Sequence, residues 1–526
     1  MRQQKLIPNP ITDPIITPIT INKEKFMQDQ LQQLKEKLTE ISNLSRAISL
    51  LGWDQQTYMP PAAAESRGNQ LALLGKLAQE MSISPDFGKI VDKLKRYLPD
   101  LDPESDNARL ISVSSKDYDK ATRVPVDFVV EQAKVSALAQ QAWVEARQKS
   151  DFLIFLPHLE KIVELRRRYA SFFPEVDHPY DALLDDFEPG MKTSEVKTIF
   201  DDMRPKQVEL IKAISKMPQV EDTFLHQAFD EKKQWDFGVE VITRFGYDWN
   251  RGRQDKAHHP FTTSFGLDDV RITTRVDPNF FNTMLFGTMH ECGHALYGLG
   301  IRRSLDYSGL DGGASLAIHE SQSRMWENLV GRSLPFWEFF YPRLQEIFPT
   351  QLGNISVNIF YNGINKVQPT YIRVEADEAT YNMHIMLRLE LEIAMIEGEV
   401  AIKDLPAIWN SRMEEYLGVT PPNDAQGVLQ DIHWSFGGLG YFSTYALGNL
   451  ISVQLWEKIN QDIPDLSDQI RQGKFSNLLG WLVDHIHQHG RKFEPQELVQ
   501  KVTGSTINSA PYLRYLNKKY NQIYNI

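Results

Sequence analysis

Apolar residues recur at spacings of three and four along most of this chain, and that periodicity favours a mainly helical fold. The clearest run lies between residues 22 and 51 and comprises Leu31, Leu34, Leu38, Ile41, Leu44 and Ile48. After a predicted turn at 53–61, further helices are predicted over 62–81, 127–150, 152–173, 193–216, 232–246, 372–397 and 475–490. The sequence contains no internal repeat and no low-complexity linker, so one helical domain is predicted over residues 23–526.

Residues 1–22 depart from this pattern. Prolines at positions 8, 10, 14 and 18 interrupt any helical periodicity there, and the segment has no continuous apolar core of the kind found in signal peptides. We therefore expect an extended, poorly ordered leader over residues 1–22.

One short segment, residues 260–276, has the composition of strands rather than of a helix. Within it Val270, Ile272 and Val276 alternate with polar side chains, which predicts a strand with one apolar face. A small hairpin closed around Gly266–Asp269 is expected.

Composition limits the class of protein. The net charge of −12 and the pI near 5.6 argue against a general nucleic-acid-binding protein, which would carry a basic excess. No stretch approaches the ~18–20 apolar residues of a membrane span. The single cysteine, Cys292, excludes an intramolecular disulfide and fits a reducing compartment. We predict a cytoplasmic protein.

Directly after the hairpin, Asp277-Pro278 offers a helix start, and the helix is predicted to run to about Gly298. Inside it, the sequence HECGH places His290 and His294 four residues apart, so both imidazoles lie on one face and can bind one ion. Glu291 lies beside that ion, where its carboxylate can take a proton from a water that the metal activates. This arrangement predicts a catalytic zinc site.

A catalytic zinc site needs a third protein ligand and keeps one position open. The next predicted helix carries three candidates, His319, Glu320 and Glu327. Glu327 lies two turns further on and could instead be a solvated surface residue. His319 cannot share the face of Glu320 and is better suited to orient a ligand or the substrate. We therefore predict His290, His294 and Glu320 as the metal ligands, and we interpret Cys292 as a small packing residue.

Six motifs in a fixed order make the chain resemble the M32 family of metallocarboxypeptidases. They are His259-Pro260-Phe261 (HPF), Asp269–Thr273 (DxRxT), His290–His294 (HExxH), His319–Gln322 (HESQ), Ile372–Asp377 (IRxxAD) and Gly427–Trp434 (GxxQDxHW). The likeness extends over nearly the whole chain from about residue 40. Two residues depart from the family pattern: Cys292 stands where alanine is usual, and Ser443 where proline is usual. The second departure is expected to loosen the loop that carries Tyr445, and neither removes a catalytic group.

The resemblance implies a mostly helical, two-lobed peptidase fold with a deep active-site groove, similar to neurolysin and angiotensin-converting enzyme. The small hairpin would lie beside the zinc helix. The resemblance also implies a homodimer with one metal per chain, usually zinc, that removes C-terminal residues from peptides with broad specificity. The sequence leaves open whether cobalt or manganese replaces zinc.

By similarity to the family, His433 and Tyr445 are the expected donors to the oxyanion that forms during hydrolysis, with Tyr441 in reserve. Simple burial in an aromatic-rich segment, SFGGLGYFSTY, is the alternative interpretation of these residues.

An enzyme that acts at a free C-terminus needs a cation for the terminal carboxylate, and Arg373 is the candidate because arginine binds carboxylates in a bidentate manner. The alternative is a salt bridge from Arg373 to Asp377, four residues on along the predicted 372–397 helix. Arg271 and His259 are expected to line the same groove.

Two other functions remain possible on the sequence alone. An oligopeptidase could cut internal bonds with the same zinc site, and only the arginine argues for action at the C-terminus. A helical scaffold with a structural metal is the second alternative, although structural zinc sites usually use four protein ligands.

Overall fold

The computed structural model describes residues 18–526, with side chains from residue 23 onward, and over that range the chain is mostly helical with one small sheet. This confirms the predicted fold class. Residues 1–17 of the predicted leader lie outside the described range, and residues 18–22 already belong to the first helix. None of the described helices combines the length and the apolar character needed to cross a membrane.

The elements follow one another closely along the chain. The first helices are α1 (Pro18–Thr57), α2 (Ala64–Ser82), α3 (Pro85–Lys95), α4 (Asp106–Arg123), α5 (Val126–Lys149), α6 (Phe152–Ala170), α7 (Pro179–Leu184), α8 (Thr193–Ile214) and α9 (Glu231–Phe245). The three strands are β1 (Gly252–Lys256), β2 (Thr262–Ser264) and β3 (Val270–Thr274).

After β3, the longer elements of the described chain are all helices. They are α10 (Phe281–Gly300), α11 (Leu316–Arg324), α12 (Leu334–Ile347), α13 (Pro349–Leu352), α14 (Val357–Ile364), α15 (Tyr381–Glu397), α16 (Leu405–Leu417), α17 (Ser443–Asp462), α18 (Leu466–Arg471), α19 (Ser476–His485), α20 (Pro495–Thr503) and α21 (Ala510–Tyr524). One π-helical segment, Met325–Val330, continues α11 without a break.

Several predicted helix boundaries are wrong, and the predicted 475–490 helix already ends at His485. α1 continues to Thr57, through part of the predicted turn at 53–61. The predicted 372–397 helix begins only at Tyr381. Before it, Asp377 accepts hydrogen bonds from the backbone N–H groups of Ala379 and Thr380, an arrangement that competes with continuous helix.

The predicted hairpin is present, and β3 is the central strand of its sheet. β2 pairs with β3 in antiparallel register, with Thr262 opposite Ile272. β1 pairs with the other edge of β3 in parallel register and was missed by the sequence analysis, because its residues, GRQDK, lack apolar alternation. α10 begins at Phe281, slightly later than the Asp277-Pro278 start that the sequence predicted.

Buried apolar residues form two clusters. The larger one includes the helices that surround α10, α11, α15 and α17. The smaller one joins α1, α3 and α4 to the turn of the hairpin at Leu267 and to the segment after α10 at Ile301 and Leu305. The sheet and α10 thus lie where the two clusters meet.

Candidate active site

α10 and α11 bring His290, His294 and Glu320 together, and we call these three residues the metal-ligand group. One ligand atom from each lies within 4.8 Å of the others. The Nε2 atoms of His290 and His294 lie 3.6 and 3.5 Å from Oε2 of Glu320. Two imidazoles and a carboxylate that converge in this way are the donor set of a catalytic zinc site, so the residues fit a divalent metal.

Glycines allow α11 to pack very closely against α10 and α17. A Cβ on Gly293 of α10 would lie 2.6 Å from backbone atoms of Gln322 and Ser323. A Cβ on Gly448 of α17 would lie 2.6 Å from the Cβ of Glu320. A larger residue at either glycine would displace α11, and with it the carboxylate of Glu320.

Glu327 orients one of the two histidines. Nδ1 of His290 donates a hydrogen bond of 2.9 Å to Oε2 of Glu327. Because a carboxylate only accepts, the proton lies on Nδ1 and the lone pair of Nε2 remains for a metal. Burial raises the pKa of Glu327, but Arg324 and His290 lower it to about 2. The expectation that Glu327 could be a solvated surface residue is therefore wrong, since its side chain is only 12% exposed.

The general-base candidate, Glu291, is held by the sheet. Its carboxylate is buried, and Oγ1 of Thr262 lies 2.7 Å from its Oε2 and 2.9 Å from its backbone oxygen. Thr262 belongs to β2, so the hairpin fixes the orientation of the carboxylate next to the metal-ligand group.

Arg373, Arg388 and Asp431 form a second buried group, the arginine cluster. Nε and Nη2 of Arg373 donate to Oδ1 of Asp431 at 3.1 and 2.8 Å. Nε and Nη2 of Arg388 donate to Oδ2 at 2.8 and 2.5 Å. Burial raises the pKa of Asp431, but the two guanidinium groups hold it far below its usual range. The alternative that Arg373 pairs with Asp377 is wrong, because its partner is Asp431.

Tyr381 connects the two groups. Its hydroxyl accepts a hydrogen bond of 2.8 Å from Nη1 of Arg373. The guanidinium of Arg324 lies 4.6 Å from the centre of its ring. Arg324 in turn donates from Nε to Oε1 of Glu320 at 2.7 Å. A continuous chain of contacts therefore joins a metal ligand to the arginine that is the candidate for carboxylate binding.

The three candidate oxyanion donors lie together beside the arginine cluster. The ring of His433 lies 5.1 Å from that of Tyr441 and 6.4 Å from that of Tyr445. Nδ1 of His433 is buried and has no hydrogen-bond partner among the described residues. Burial, with Arg373 and Arg388 nearby, lowers the pKa of His433 to about 4, so the ring is neutral near pH 7.

Tyr445 lies in the first turn of α17 rather than in a loop, and Ser443 is the first residue of that helix. Ser443 is fully buried and donates to the backbone oxygen of Gly440 at 3.2 Å. The expected loosening of a loop by Ser443 is therefore wrong, because the serine makes a packed helix start.

The two other candidate groove residues, Arg271 and His259, lie apart from the metal-ligand group. Arg271 is bound in a bidentate manner by Asp269 and lies 4.4 Å from the ring of Trp53, and His259 is exposed before β2. Among the described residues, no contact links either one to the metal-ligand group. Cys292 is completely buried, as expected for a packing residue.

Sequence reasoning missed Thr262, Arg388, Asp431 and Tyr381 as parts of the site. Asp431 lies inside the GxxQDxHW motif, which offered a signal. The other three carry none, because their partners are distant in the chain.

Residues 33–520 match the family described as Carboxypeptidase Taq (M32) metallopeptidase. Carboxypeptidase 1 of Bacillus subtilis is 37% identical over 488 residues, which cover 93% of this chain and 97% of that protein. Thermostable carboxypeptidase 1 of Thermus thermophilus is 39% identical over 503 residues, or 94% of this chain and 98% of that protein.

Solved structures give the same result. The M32 carboxypeptidase of Deinococcus radiodurans superimposes with a TM-score of 0.92 at 40% identity, covering 95% of this chain and 100% of that one. The carboxypeptidase of Pyrococcus furiosus superimposes with a TM-score of 0.90 at 37% identity, covering 93% and 99%.

Proposed function

The chain belongs to the Carboxypeptidase Taq (M32) metallopeptidase family and is a metallocarboxypeptidase, and we propose that zinc, held by the metal-ligand group, serves the reaction. The observation that carries the proposal is the convergence of His290, His294 and Glu320 beside the buried carboxylate of Glu291. A zinc ion held by His290, His294 and Glu320 would act as a Lewis acid, polarising the peptide carbonyl and activating water for attack.

Glu291 is the proposed general base. Thr262 holds its carboxylate through Oε2, so the orientation of the group does not depend on substrate. Glu291 takes the proton of the attacking water and passes it to the amine of the departing residue. One residue therefore serves as base in the first step and as acid in the second.

Arg373 is the proposed receptor for the C-terminal carboxylate of the peptide. Of the five N–H groups of a guanidinium, three are used by Asp431 and Tyr381. Two remain, which matches the two oxygens of a carboxylate. Two arginines and one aspartate also leave the arginine cluster with one positive charge, and that charge favours an anionic terminus.

His433 and Tyr445 are the proposed donors to the oxyanion. A neutral His433 can donate one N–H, and the hydroxyl of Tyr445 stays protonated because burial raises its pKa far above the usual range. Tyr441 lies against both rings and remains the reserve.

The matches to carboxypeptidases support this function rather than an oligopeptidase or a structural-metal scaffold. Glu291→Gln tests the chemical assignment. We expect the variant to retain bound zinc by elemental analysis and to lose about 10²–10⁴-fold in kcat on a free-acid peptide, with products followed by mass spectrometry. A fully active Glu291→Gln would refute the general-base role, and loss of zinc would show that Glu291 acts on metal binding instead.

We also propose a homodimer, as the family resemblance implies. α2 has no buried residue and packs mainly on α1, and Leu73 and Leu77, one turn apart on α2, are 59% and 40% exposed. Sedimentation velocity should give twice the 60.6 kDa chain mass. Leu73→Glu with Leu77→Glu should yield monomers if α2 is in the contact, whereas a wild-type monomer would refute the dimer.

A further inference from the structure

We infer that Glu392 is a positioning residue, which holds the segment between His433 and Tyr441 in its catalytic arrangement through hydrogen bonds. This inference rests on the proposed function, because it concerns residues to which that function gives a role. Glu392 itself is completely buried on α15 and belongs to neither the metal-ligand group nor the arginine cluster.

Three donors from separate segments converge on the Glu392 carboxylate. Oε1 accepts from Nε1 of Trp434 at 2.7 Å. Oε2 accepts from the hydroxyl of Tyr180 at 2.6 Å and from the backbone N–H of Gly440 at 2.9 Å. Two of these donors flank the segment that follows His433, so one side chain fixes both of its ends.

The segment needs an external anchor because it is rich in glycine. Gly437 and Gly440 have φ values of +80° and +101°, which other residues adopt only with strain. A Cβ on Gly440 would also lie 2.5 Å from the backbone oxygen of Leu183. The glycines provide no side-chain packing of their own, so hydrogen bonds such as those to Glu392 hold the backbone together with the buried side chain of Leu439.

α15 holds the region at two points one turn apart. Arg388 binds Asp431, two residues before His433, and Glu392 binds Trp434, the residue after His433, and Gly440 at the far end of the segment. His433 therefore lies between two attachments to the same helix. A change at either attachment is expected to move the imidazole relative to the reacting carbonyl.

A carboxylate accepts from all three partners at once, and two of them, the indole N–H of Trp434 and the backbone N–H of Gly440, can only donate. In Glu392→Gln, one terminal atom becomes an NH₂ group, which cannot accept. If it replaces Oε1, it faces the N–H of Trp434, and if it replaces Oε2, it faces the N–H of Gly440. Either orientation sets donor against donor in a buried place, so the segment must shift.

The test compares Glu392→Gln with Glu390→Gln on the zinc-loaded full chain. Glu390 lies on the same helix but binds Tyr416 and Arg204, away from the segment. We expect Glu392→Gln to lower kcat by about 10- to 100-fold, with KM and zinc content nearly unchanged, because the loss concerns groups that act in the transition state. Glu390→Gln should keep the wild-type kcat.

A milder variant covers the case in which Glu392→Gln does not fold. Tyr180→Phe removes one donor and keeps the carboxylate, and kcat should fall by about 3- to 10-fold at unchanged KM. Equal kcat values for Glu392→Gln and Glu390→Gln, or an unchanged kcat in Tyr180→Phe, would overturn the inference even if the melting temperature fell. If the wild-type chain itself fails to release C-terminal residues, the proposed function fails instead, so the two failures are distinguishable.

Discussion

The metal-ligand group and the arginine cluster are joined through Tyr381, but their net charges have opposite signs. Around the metal-ligand group, Glu320 and Glu327 pair with Arg324 and Arg332, while Glu291 has no arginine partner among the described residues, which leaves one negative charge. In the arginine cluster, two guanidinium groups face Asp431 alone, which leaves one positive charge. Each group therefore keeps a charge opposite to that of its proposed ligand, a metal cation or a peptide carboxylate.

The comparison shows how buried charge can be kept available for binding. A fully paired cluster would gain nothing from a ligand, and an unpaired charge would cost several kcal/mol to bury. Partial pairing is the intermediate case, in which the protein orients its charged groups and the ligand completes the neutralisation. A substitution in one group should therefore leave the function of the other group intact.

The largest expected effect is that of Asp431→Asn. This change leaves two buried guanidinium groups without a counter-charge, so the free energy of unfolding should fall by about 3–5 kcal/mol in urea titrations. Zinc affinity should not change. Asp268→Asn is the control, because Asp268 also binds two arginines, Arg251 and Arg303, but its side chain is 54% exposed. Equal losses in the two variants would contradict the charge argument.

The next effect is that of Arg373→Ala. Removal of the proposed carboxylate receptor should raise KM for a free-acid peptide by about 100-fold and leave zinc in place. Steady-state kinetics on free-acid and amidated forms of one peptide would measure it. Equal losses on both forms would remove the assigned role of Arg373.

A smaller effect is expected at the metal-ligand group. Glu327→Gln weakens the acceptor that fixes the tautomer of His290, so zinc affinity should fall by about 10-fold in competition with a chromophoric chelator. KM of the zinc-saturated variant should remain that of the wild type. A raised KM with unchanged zinc affinity would show that the two groups are not separable in this way.

The smallest effect concerns protonation of His433. The folded-state pKa of about 4 lies below the ordinary value of about 6.5. The unfolded chain therefore takes up this proton first, and stability is lost as the pH falls from about 6.5 to about 4. The imidazole resonances of His433, assigned with His433→Gln, should be those of a neutral ring at pH 5.5. A titration midpoint near 6.5 would contradict the burial argument.

The metal-ligand group could be predicted from the sequence because its signals are local. His290 and His294 lie one helical turn apart, and α10 appeared as a helix directly after a recognisable hairpin. Glu320 required only a choice among three nearby candidates. The resemblance to a family supplied the remaining residues by motif.

The arginine cluster could not be assembled in the same way. Local reasoning gave Arg373 a partner four residues away, whereas Asp431 lies 58 residues further on. Arg388 and Glu392 look like polar interruptions in an apolar helix, and nothing in α15 itself shows which segment they meet. Buried polar partners are chosen by tertiary packing, so spacing along one helix does not reveal them.

One comparison tests the central claim most directly: a single peptide offered as the free acid and as the C-terminal amide to the zinc-loaded wild-type chain, with products identified by mass spectrometry. The account predicts stepwise loss of C-terminal residues from the free acid and little or no cleavage of the amide, because only the free acid carries the charge that the arginine cluster is missing. Internal cuts in both forms at similar rates would contradict it.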